Sequence, residues 1–216
     1  MLIVGDVKTF KSYLALNMSY DMAAGTQILG YWDVIRPLSV LYIEAEVGEF
    51  EVIERGEKIY TNKVDPTAYE NLHIVSKDLR IQLDTPDGLQ LLEQAIVDAA
   101  PDVVVLDPIV EFHSHDENKA TEMKKMFAPI RKLMQKYHCA LIVVHHTTKL
   151  SDYRPGNNPA SARGSYLAGA ANTILNVVKP LKKDDSPIVQ IHFTVRAARA
   201  PKDITLKFDE ETGGFK

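Results

Sequence analysis

The chain has 216 residues, 45% hydrophobic and 25% charged, which suits one soluble globular domain with a sizeable core. Its net charge of −4 argues against a mainly electrostatic grip on a nucleic-acid backbone, though not against a local basic groove. A single cysteine excludes an internal disulfide, and no apolar run approaches the ~18 residues that span a bilayer.

No signal peptide opens the chain, so the expectation is a cytoplasmic protein without a membrane partner. Residues 1–5, "MLIVG", read as a short buried strand. The chain thus starts almost on its first strand, as a trimmed longer parent or a naturally missing N-terminal segment would. A helix follows from Lys11 to Ala24, with Leu14, Met18 and Met22 at helical spacing and Gly25 as its C-cap. "SVLYIEAE" (39–46) is a strand rich in Val, Tyr and Ile, and "EFEVIERGEKIYTN" is helical. "NLHIVS" (71–76) is a further strand. Leu91, Leu92, Ala95, Ile96 and Ala99 share one helix face ahead of the buried strand "PDVVVLDP" (101–108). Met123 to Tyr137 mark a long amphipathic helix, and "CALIVVHH" (139–146) is again a strand, with Cys139 expected as a buried thiol. The polar segment 147–164, rich in Pro, Gly and Asn, predicts a loop. Strands at 173–178, 188–195 and 204–209 close the chain without helices between them. Apolar strands alternating with helices predict an α/β fold, a mainly parallel sheet covered on both faces, with an antiparallel C-terminal edge.

The segment "GDVKTFKS" lies between the first strand and the first helix. A phosphate-cradling P-loop reads G-x-x-x-x-G-K-[ST] in that setting, and Gly5, Lys11 and Ser12 hold its spacing. Backbone N–H groups from Gly5, Asp6, Val7, Lys8, Thr9, Phe10, Lys11, Ser12 and Tyr13 would face phosphates at the helix start. Lys11 would reach the β/γ-phosphates and the Ser12 hydroxyl would ligate Mg²⁺. Phe10 stands where the motif has its second Gly. It still supplies an N–H, but a residue with a Cβ holds φ > 0 only at a cost of roughly 1–2 kcal/mol. The loop therefore takes another path or bears that strain.

Three more strands end in polar chemistry. Asp107 closes "VVVLDP", where a P-loop enzyme keeps an acid for the magnesium's water shell; the bland reading is a strand-end cap. Glu44 and Glu46 close "LYIEAE" and, alternating with Ala45, are expected on one face, placed to orient or deprotonate a water. His145 and His146 close "LIVVHH".

The order GDVKTFKS, IEAE, VVVLDP, VVHHTTK resembles the RecA-like ATPases, in particular the RepA-type plasmid and phage replicative helicases of the AAA_25 group. The tail "FTVRAARAPKDITLKFDEETGGF" is similar to the closing hairpin of DnaB-type motors. The resemblance implies one RecA-like domain over residues 1–216 that binds ATP and Mg²⁺ as a homo-oligomer, hexameric in such motors, and acts on single-stranded DNA. It implies Lys11 and Ser12 as the Walker A pair and Asp107 as the Walker B acid. Glu46 becomes the acid that activates water, and His145 and His146 the sensor of the γ-phosphate. Arg199 is the candidate for a basic finger reaching a neighbouring subunit, and Arg196 takes the place of the helicase lysine; Ala198 stands where the helicase arginine would be, which weakens that match.

Rival readings stay open at this point. A recombinase-like ATPase would share these motifs, and a nucleotide-sensing assembly protein without useful turnover would be consistent with Phe10. His113, His115 and Asp116 in "EFHSHDEN" suggest either a metal site or, since no Cys or further His follows at ligand spacing, a solvated loop. Within 147–164, Lys149, Arg154 and Arg163 outweigh Asp152, giving a net +2 that suits a DNA-facing loop.

Overall fold

The computed structural model describes residues 1–63, 65–76, 81–146, 165–180 and 187–216. Parallel strands form its centre: Leu2–Gly5 (β1), Val40–Glu44 (β4), Leu72–Val75 (β5), Val103–Asp107 (β6), Ala140–His146 (β7) and Thr173–Val178 (β8). Ile188–Val195 (β9), Ile204–Asp209 (β10) and Gly214–Phe215 (β11) continue the sheet antiparallel. The nine strands run in the order β11-β10-β9-β8-β1-β7-β6-β4-β5. Of the closing strands, β8 itself pairs parallel with β1, so the antiparallel edge begins one strand later than expected.

Alternation along each strand sends side chains to two separate cores. Ile3, Val40, Tyr42, Val103, Val105, Ile142 and Val144 face one side. There they pack on helix Lys11–Ala24 (α1), with Ile59 of Glu49–Lys63 (α2) and Ala68 of Pro66–Asn71 (α3). Leu2, Val4, Leu41, Ile43, Val104, Leu106 and Val143 face the other. They meet Pro86–Ala99 (α4), Ala120–Lys136 (α5) and Ser165–Ala170 (α6). Both faces are covered, which is why the strands read as unbroken apolar runs.

Several elements escape the sequence reading. Helix α3 is short, with Pro66 in its first turn and the Asp65 carboxylate accepting the Thr67 N–H at 2.9 Å. A small hairpin of Gln27–Ile28 (β2) and Trp32–Asp33 (β3) fills the connection after α1. Helix α6 and strand β11 were also unforeseen. Helix α1 stops at Gly25, whose φ of 72° is left-handed, as expected of its C-cap. Cys139 is half-buried and precedes β7, so the thiol is less enclosed than its apolar neighbours suggest. The segment 147–164, with Lys149, Arg154 and Arg163, lies outside the described residues.

Candidate nucleotide site

The C-terminal ends of β1, β4, β6 and β7 meet at one edge of the sheet, directly before α1. Register pairs Gly5 with His146 and Glu44 with Asp107, and since Leu106 pairs with Val143, the first pair stands two residues beyond the second along the strands. Strand β7 lies between β1 and β6, which sets the histidines between the loop and Asp107.

Two residues of the loop carry left-handed backbones, Lys8 at φ 62° and Phe10 at φ 60°. Phe10 thus bears the strain that its Cβ imposes rather than avoiding it. Phe10 is also the N-cap of α1 and offers no side-chain acceptor to the helix amides. The N–H groups of the first helical turn have no intrahelical partner, so Lys11, Ser12 and Tyr13 supply an amide cluster suited to an anion. Gly5 answers a different demand. A Cβ there would lie 2.3 Å from the Val177 carbonyl oxygen on β8 and 2.9 Å from Thr9 Oγ1. Close strand packing, as much as any ligand, requires glycine at that position.

Lys11 is 4% exposed and turns back into the loop. Its ammonium donates to the Asp6 carbonyl at 2.6 Å and stands 3.5 Å from Thr9 Oγ1. Burial lowers its pKa to about 8, against the pull of Asp107, Asp6 and Glu46. A desolvated cation with three N–H donors and one short partner is chemically suited to receive phosphate. Ser12 Oγ donates to Asp107 Oδ1 at 3.1 Å. Neighbouring oxygens around an octahedral Mg²⁺ stand about 2.9 Å apart, so this all-oxygen pair fits that ion. Asp107 Oδ2 accepts from the Tyr42 hydroxyl, a fully buried group that also stands 3.4 Å from the Ser12 carbonyl. Burial raises Asp107, while its bonds with Tyr42 and Ser12 pull the other way. Glu44 is likewise raised, first by burial and then by the nearby Asp107 charge.

The expected shared face of Glu44 and Glu46 is not what forms. Strand β4 ends at Glu44, which is 1% exposed. The chain then bends, and the Glu46 side chain is 54% exposed with Oε2 3.7 Å from His146 Nε2. Alternation also divides the histidines. His146 follows Val144 toward the α1 side, where burial and the Lys11 charge lower its pKa. His145 follows Val143 to the opposite face, with Nδ1 3.3 Å from Glu117 Oε1. His113 joins it there, its side chain 1% exposed and Nε2 3.8 Å from the same oxygen. The solvated-loop reading of this segment therefore fails for His113. His115 turns instead toward Glu122, at 3.7 Å, and among the described residues no cluster of His, Cys, Asp or Glu is arranged to hold a metal.

Arg196 and Arg199 are not gathered with the loop within one chain. They follow β9, whose end pairs with Thr173 at the start of β8, whereas Gly5 pairs with Val177 near its finish. Arg196 donates to the Gly169 carbonyl. A cavity of about 380 Å³ is remote from the site, between the β7 start, α5 and α6.

The sequence reading missed three neighbours of the site. Tyr42 was detectable, because alternation puts it on the face of Glu44. Phe208 of β10, against which the Phe10 ring stacks at 4.3 Å, carries no local signal. Arg55 of α2, with its guanidinium 5.1 Å from the Tyr13 ring centre, carries none either.

The AAA_25 family, described as an AAA domain, matches residues 1–152, and the chain belongs to that family. Among solved structures it is similar to one described as an ATPase domain, with a TM-score of 0.67 and 16% identity, covering 99% of this chain and 82% of that one. It is also similar to a DnaB-like replicative helicase described with its interactions with primase, with a TM-score of 0.68 and 17% identity. That alignment covers 99% of this chain and 57% of the helicase chain. No curated protein matches significantly. The fold is thus that of RecA-like helicase ATPase domains. Among the described residues no helix is long and apolar enough to cross a membrane.

Proposed function

We propose that residues 1–216 form one ATPase domain that binds ATP with Mg²⁺ at the head of α1, hydrolyses it, and acts on DNA as a replicative-helicase motor or loader. The observation that carries this reading is the Ser12–Asp107 contact at 3.1 Å beside a buried lysine and the uncapped start of a helix.

In this reading the amides of Gly5 to Tyr13 cradle the phosphates, and Lys11 leaves the Asp6 carbonyl to meet the β/γ-phosphates. Ser12 and Asp107 hold the cation, Asp107 partly through water, with Tyr42 bracing the far carboxylate oxygen. Bound Mg²⁺ supplies charge neutralisation for the phosphate oxygens. Glu46 accepts the proton of the attacking water, and His146, with His145 behind it, reports the state of the site. Arg199, with Arg196 beside it, serves a neighbouring subunit, since both lie at the other edge of their own sheet. Assembly into a homo-oligomer, hexameric by resemblance, supplies that neighbour. The DNA and assembly parts draw their support from the family and the helicase-like fold.

The test is ATP turnover with and without single-stranded DNA, alongside the mass in solution. Turnover stimulated by DNA in an oligomer is the expected result. Binding of ATP without turnover under any condition would favour a nucleotide-sensing assembly protein. Strand exchange without unwinding would favour a recombinase.

A further inference from the structure

Glu44 is an acid that the site described above does not use. It is 1% exposed and stands in register with Asp107 on the adjacent strand. Two carboxylates side by side in a dry crevice disfavour each other's charge, so an oxygen-bearing side chain here calls for a specific partner.

The partners are in the next residues of the chain. Glu44 Oε1 accepts the N–H of Glu46 at 2.7 Å and that of Val47 at 3.0 Å. The intervening Ala45 N–H donates to the Asp107 carbonyl at 2.8 Å. The three amides after the strand are therefore fixed, one by β6 and two by the Glu44 side chain. They set the angle at which the chain leaves the sheet. Glu46 is the second residue past the strand, and its direction toward His146 follows from that bend. The Arg55 charge on α2 also acts on Glu44, favouring its ionised form.

We propose that Glu44 is the positioning residue for Glu46: its side-chain oxygen holds the 45–47 turn and thereby places the Glu46 carboxylate. This rests on the reading that Glu46 works on water. The role needs an acceptor oxygen at the right reach, not a negative charge. Glutamine keeps that oxygen, and aspartate keeps the acid but is one methylene short.

The experiment compares Glu44→Gln, Glu44→Asp and Glu44→Ala with wild type by kcat, nucleotide affinity, and amide exchange at Glu46 and Val47 in nucleotide-free protein. Loss of the brace should lower kcat by about a hundredfold in the Asp and Ala variants, the size of effect a displacement of about 1 Å produces. Nucleotide affinity should hold, exchange at both amides should quicken, and the Gln variant should keep more turnover than the Asp variant. The opposite ranking, Asp above Gln with exchange unchanged, would make Glu44 itself the acid that does chemistry and overturn the proposal. Should the Ala variant not fold, the Gln–Asp ranking still decides. If wild type lacks turnover, the functional reading fails on its own, and amide exchange alone then decides whether Glu44 holds the turn.

Discussion

The ring of Phe10 lies against that of Phe208, with centroids 4.3 Å apart and planes inclined by 23°. One residue caps the helix after the loop and the other belongs to β10, and Lys179 Nζ stands 4.9 Å from the Phe10 ring centre. A left-handed backbone costing roughly 1–2 kcal/mol is thus held beside a stacked pair worth about 0.5–1.5 kcal/mol beyond its area. Phe10→Ala loses the ring and keeps the strain, whereas Phe10→Gly loses the ring and relieves it. Both should lower the unfolding free energy read by urea denaturation, alanine by about 1 kcal/mol more than glycine. An alanine variant as stable as wild type would remove the stack from the account. ATP affinity should survive in the glycine variant, because the amide remains.

Lys11→Ala should abolish turnover and strongly weaken ATP binding, since it removes the charge proposed to meet the phosphates. Glu46→Gln should keep ATP·Mg²⁺ and lose turnover by about 10²–10⁴-fold, because the amide cannot accept the water's proton. Fluorescent-nucleotide binding and steady-state hydrolysis separate the two phenotypes. Normal turnover in either variant would place the chemistry elsewhere.

Gly5→Ala should destabilise the chain by about 1–3 kcal/mol, as overpacking against backbone does. The added Cβ would sit 2.3 Å from the Val177 carbonyl oxygen, which belongs to the strand paired with β1 and cannot rotate away. Urea denaturation without nucleotide reads the effect directly. An unchanged midpoint would mean that β1 and β8 separate freely.

His113 should make the chain sensitive to acid. Burial holds its pKa below the usual 6.5, although Glu117 and Asp84 pull it up. His115 adds to the lowering. As pH falls through 6.5 the unfolded chain takes a proton that the folded chain refuses, so stability drops on acidification. His113→Phe should flatten the change in urea midpoint between about pH 7 and about pH 5. A slope as steep as wild type would assign the acid loss to other groups.

Replacing Lys149, Arg154 and Arg163 together with Ala should weaken single-strand binding across sequences and reduce its salt dependence, as loss of phosphate contacts does. Basal ATPase should survive and stimulation by DNA should vanish. An unaltered salt slope would remove this segment from DNA binding.

Hydrophobic pattern alone carried the α/β class, the parallel core and the position of α1, because strand period and helix period are local properties of the chain. The loop spacing and the polar strand ends of Asp107, His145 and His146 were legible for the same reason. Tertiary structure decided what those residues face. Insertion of β7 between β1 and β6 is a matter of pairing between distant segments, and it sets His146 beside the loop while His145 faces the other side of the sheet. The bend after Glu44 takes Glu46 out of the strand because a buried side chain captures backbone amides, a competition that periodicity does not register. The left-handed Phe10 is supported by Phe208, far along the chain, so the sequence indicated the strain and only the packed sheet shows what sustains it.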